Sequence, residues 1–166
     1  MRALYLGSVT LHVLAAMFWL GGIFFLGVVG ATVLRRVQPP ELRQHLINAV
    51  GVRFRAHSWW AIAVLLATGV LNLRYRGWLT WDSALGAPAF WASDTGNALA
   101  WKLGAVATMI GVSAIHDFVL GPRARAAVPG SPKALALRAR AMWAARLNAL
   151  AGVVLVIAAV RLARGG

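Results

Sequence analysis

The chain has 166 residues, 60% hydrophobic and only 13% charged, against about 25% charged in an average soluble domain, which excludes a water-soluble globular fold. Seventeen Lys and Arg oppose four Asp and Glu, for a net charge of +13; because the arginines lie between apolar runs, this charge fits cytoplasmic loops facing anionic lipid and not nucleic acid. There is no cysteine, so disulfides, thiolate metal sites and a cysteine nucleophile are excluded, and copper or iron would need His, Met, carboxylate or backbone ligands.

The first apolar run spans about residues 4–33. It is too long for a signal-peptide core of about 7–15 residues. It also exceeds the roughly 20 residues that cross a bilayer, so a tilted or projecting helix is predicted. It carries His12, Met17 and Trp19, and His12 and Trp19, seven apart, share a face. Gly21, Gly22, Gly27 and Gly30 allow close approach of a second helix or of a flat cofactor. A basic connection follows, with Arg35, Arg36, Arg43, Arg53 and Arg55 around a Pro39-Pro40 turn.

Helix 2 is predicted over about 54–73, with His57, Thr68 and Asn72 on one broad face. The next connection has Arg74 and Arg76, offset by Asp82 and Asp94, and is rich in tryptophan: Trp78, Trp81, Trp91 and Trp101. An aromatic belt at the membrane boundary is favoured over a ligand platform. Helix 3 is predicted over about 98–120. Lys102, Met109 and His116 recur at seven-residue spacing on it, giving one stripe with an ammonium, a thioether and an imidazole. A second basic connection holds Arg123, Arg125, Lys133, Arg138, Arg140 and Arg146 around Pro129-Gly130-Ser131-Pro132. Helix 4 is predicted over about 147–160, with a surface extension from about Lys133, and it contains Asn148.

These elements predict an all-α fold: one integral membrane domain, 1–166, forming an up-down-up-down four-helix transmembrane bundle. By the positive-inside rule the two basic connections face the cytoplasm and both termini lie outside, which predicts the cytoplasmic (inner) membrane.

Function is sought among the polar residues inside apolar runs, because burying them is costly. His57 enters helix 2 near the cytoplasmic boundary, and His116 lies about a turn before the cytoplasmic end of helix 3. At similar depth they suit haem iron or a metal ion. His12 and Lys102 lie on the outer half. Two ligand sets stay open: His12, Met17, Met109 and His116 for copper, and His57 with His116 for b-type haem, with His12 or Lys102 as the outer alternative. Plainer roles stand beside them: interfacial imidazoles bonded to carbonyls, methionines as gap-fillers, and a lysine that snorkels. There is no nucleotide loop, zinc-protease motif or serine elbow, so no catalytic residue is assigned and an enzymatic role stays open.

Leu11-His12, followed by Phe18-Trp19-Leu20-Gly21-Gly22-Ile23-Phe24-Phe25, resembles the first helix of the copper resistance D (CopD-like) membrane family. The same order continues in Arg53-Phe54, Thr68-Gly69, Lys102-Leu103 and His116-Asp117-Phe118-Val119-Leu120-Gly121-Pro122-Arg123. The resemblance implies a multi-pass inner-membrane protein linked to copper uptake, export or tolerance. The first helix is also similar to that of the HemJ-like membrane protoporphyrinogen oxidase family, with His12 and Lys102 at that family's His and Lys positions. Here Val28-Val29-Gly30 replaces its Arg- and His-containing helix end. The expected partners are the lipid bilayer and either further copies of the chain or a larger membrane complex.

Overall fold

The computed structural model describes residues 2–79, 84–128 and 131–165. Trp81, Asp82 and the Pro129-Gly130 turn, named above, lie outside the described residues. Among the described residues every regular element is helical. Four helical segments are long and apolar enough to cross a membrane: 2–35, 40–75, 94–124 and 132–163.

The chain divides into two compact units, Met1–Gly86 and Ala87–Gly166. The first is a hairpin. Helix α1 (Arg2–Phe25) runs into a π-helical turn, Leu26–Gly30, then α2 (Ala31–Arg35), a short turn, and the long α3 (Pro40–Tyr75). The second follows the same plan. A short α4 (Pro88–Ala92) leads into α5 (Asp94–Ala114), a π-helical turn over Ile115–Leu120, α6 (Gly121–Ala126) and the long α7 (Pro132–Ala163).

Local chemistry sets the helix ends. Pro40 opens α3, where a missing N–H costs nothing. Gly77, with φ of 73°, takes the left-handed conformation just past its end. Ser93 and Ser131 cap α5 and α7: their Oγ atoms accept from the backbone N–H of Gly96 at 3.1 Å and of Ala134 at 3.2 Å.

The long helices begin well before the apolar runs. Helix α3 starts at Pro40 and α7 at Pro132, so much of the two basic connections is helix and not loop. Hydropathy registers only the part of a helix that meets lipid, whereas arginine is itself a good helix former. At 1.5 Å per residue α3 is about 54 Å long, against about 30 Å of bilayer hydrocarbon. Its N-terminal portion, with Glu41, Arg43 and His45, therefore projects beyond the apolar span. Three tryptophans on the long helices are exposed: Trp60 on α3, Trp101 on α5 and Trp143 on α7 are 75%, 60% and 67% accessible. Such rings settle at the headgroup level. The Arg146 guanidinium lies 5.0 Å from the Trp143 ring centroid, joining cation and belt at the start of the α7 span.

Candidate functional site

In the first hairpin α1 and α3 run antiparallel, as their contacts show. The Tyr5 and Tyr75 rings are 5.6 Å apart, His12 meets Thr68, and the Phe18 and His57 rings are 6.5 Å apart. The α1 face towards α3 thus carries His12, Trp19 and Gly22, and Trp19 is only 2% exposed. Gly22 is there for close packing: a Cβ would sit 2.8 Å from Cζ of Phe54. Gly21 and Gly27 meet nothing within 4 Å, so of these glycines Gly22 is the one that receives α3.

His12 is half-buried, with Nδ1 2.8 Å from Thr68 Oγ1. The Thr68 hydroxyl donates to the Val64 carbonyl at 2.6 Å. It must therefore accept from His12, which places the imidazole proton on Nδ1. One helical turn away, Ser8 Oγ and Asn72 Oδ1 are buried without a partner among the described residues, extending a polar seam along the α1–α3 contact.

The other end of this hairpin holds a groove of about 560 Å³. Met17, Phe18 and Gly22 line it from α1, and Arg53, Phe54 and His57 from α3. Met17 is 66% exposed. His57 Nδ1 is 2.8 Å from the Arg53 carbonyl. A carbonyl can only accept, so Nδ1 carries the proton and Nε2 is the lone-pair nitrogen of the neutral ring. Metal-binding histidines characteristically have their tautomer fixed in this way.

In the second hairpin Lys102, Met109 and His116 do not form one buried stripe. Met109 is fully buried and Lys102 half-buried. The His116 side chain is 49% exposed, beside the Asp117 carboxylate at 3.1 Å, where the helix has left α geometry for the π turn. The polar link between α5 and α7 is one that sequence reasoning missed: Asn148 Nδ2 donates to Ser113 Oγ at 3.2 Å, leaving Asn148 Oδ1 buried without a partner among the described residues.

Both interhelical pairs had a usable signal in the sequence. In a hairpin, residues equally far from the turn share a depth. His12 and Thr68 each lie 28 residues from Pro40, while Ser113 and Asn148 lie 18 and 17 from Ser131. Of the candidate ligands, the structure brings Met17 and His57 to one groove. It places His12 on a different, α3-facing stripe of α1. Met109 and His116 belong to the other hairpin. Among the described residues no three His, Asp or Glu gather as a metal cluster. The donors that line the groove are one thioether and one imidazole, ligand types that copper accepts.

An uncharacterized protein of Aquifex aeolicus (strain VF5) is 28% identical over 156 residues, covering 93% of this chain and 92% of that protein. No solved structure matches the chain. The family model for CopD, copper resistance protein D, matches residues 48–162, from the projecting part of α3 almost to the end of α7. The chain therefore belongs to the copper resistance protein D family of membrane proteins.

Proposed function

We propose that this protein handles copper at the cytoplasmic membrane, moving or sequestering it through imidazole and thioether donors. The family match carries this reading, since the family takes its name from copper resistance. Two features support it. A tautomer-fixed imidazole and an accessible thioether line one groove, and neutral soft donors suit monovalent copper. The orientation follows from charge: the basic N-terminal portions of α3 and α7 face the cytoplasm, and both termini face outward. This puts the groove at the cytoplasmic boundary, about a turn before Trp60.

The test is made in cells. Expression in a copper-sensitive host should change both growth on copper and cell-associated copper, measured by mass spectrometry. A protein correctly inserted in the membrane that changes neither would overturn the proposal. The haem reading is tested on the same preparation by its absorption spectrum: a sharp dithionite-reduced band would replace copper with b-type haem.

A further inference from the structure

We infer that Met17 Sδ and His57 Nε2 together form a Cu(I) site in the groove of the first hairpin. The inference rests on the copper reading above and names the ligands within it. Four observations carry it.

The first is level. The Phe18 and His57 rings lie 6.5 Å apart, so Met17, the neighbour of Phe18, is at the depth of His57, and both side chains line the same groove. The second is tautomer. The hydrogen bond from Nδ1 to the Arg53 carbonyl orients the ring and leaves Nε2 as the coordinating atom. The third is access. Both residues are exposed, so a metal can reach them without opening the α1–α3 contact, whereas His12 is turned into that contact.

The fourth is selectivity. Among the described residues no carboxylate lines the groove, and Arg53 is the one residue of its wall with a formal charge. A divalent ion would find no anionic ligand in that lining. Monovalent copper carries half the charge, accepts few ligands and prefers thioether and imidazole. The remainder of the wall, Phe18, Gly22 and Phe54 among it, is apolar and supplies no side-chain oxygen ligand.

The experiment is an anaerobic titration of the tag-free, detergent-purified full chain with Cu(I), in competition with a chromogenic Cu(I) chelator. M17L and H57L should each weaken Cu(I) binding at least tenfold. H45L, which removes an exposed imidazole elsewhere on α3, and H12L should stay within about twofold of wild type. Both target side chains are exposed, so the variants keep the fold, as monodispersity and far-UV circular dichroism will show. If wild type binds Cu(I) but either M17L or H57L keeps wild-type affinity, this pair is not the site, although the copper reading stands. If wild type binds no Cu(I), both fall together.

Discussion

The two hairpins share a plan and differ in what they put between their helices. Each has an apolar helix, a π-helical turn, a short helix and a long helix with a basic start. In the second, small and aliphatic side chains dominate the buried set: Ala98, Leu99 and Ala105 on α5, with Ala151, Leu155 and Ala158 on α7. Its polar link, Ser113–Asn148, lies one turn from the π segment. In the first, the buried residues of α1 and α3 include Ser8, Ser58 and Thr68, and one large ring, Trp19, fills the α3-facing side of α1. Its polar link, His12–Thr68, lies far from the π segment, and an open groove lined by Met17 and His57 occupies that end instead. The same architecture thus joins its helices through small aliphatic side chains in one unit and through a polar seam beside an open groove in the other. π-Helical turns are frequent at functional sites, and here the first of them directly follows the α1 residues that line the groove.

Core truncation should break the comparison most strongly. Trp19→Ala removes the most deeply buried ring of α1 and should cost about 3–5 kcal/mol. Met109→Ala is its counterpart in the second hairpin, at about 2–5 kcal/mol. Reversible unfolding in mixed micelles measures both. Equal, negligible losses would show that neither contact organises its hairpin.

A smaller effect is expected at the glycines. Gly22→Ala drives a methyl into the Phe54 ring, and overpacking of this kind costs about 1–3 kcal/mol. Gly21→Ala, facing open space, should stay within about 0.5 kcal/mol. The same unfolding assay sharpens the assignment, and a reversed order would mean that α1 presents a different face to α3.

The polar links should matter least to stability. Interhelical hydrogen bonds in membranes average about 0.6 kcal/mol. Double-mutant cycles on His12/Thr68 and on Ser113/Asn148 should therefore each return a coupling near that value. A coupling well above about 1.7 kcal/mol, the upper end seen for such bonds, would give His12 a structural weight that the geometry does not suggest.

Much of the fold was legible in the sequence, because crossing a bilayer demands long uninterrupted apolar runs. Four such runs gave four helices. The start of α3 was not legible from hydropathy, since Arg43 and Arg53 read as loop although they favour helix, whereas the extension expected from about Lys133 matches the start of α7 at Pro132. Nor were the π turns, which leave no compositional mark at Leu26–Gly30 or Ile115–Leu120. His12 and His57 stood out as polar residues in apolar surroundings. Which partner each meets depends on helix phase and hairpin register: distance from the turn pairs His12 with Thr68, whereas the Arg53 carbonyl emerged only in three dimensions. The seven-residue spacing of Lys102, Met109 and His116 suggested a common stripe; proximity to the helix end and the π turn leaves His116 exposed instead.

The most direct measurement is X-ray absorption at the copper K edge of the Cu(I)-loaded, tag-free protein and its M17L variant. A Met17–His57 site requires one sulfur and one nitrogen in the first shell of wild type, with the sulfur gone in M17L. A first shell of nitrogen and oxygen alone, or a sulfur that persists in M17L, would contradict it.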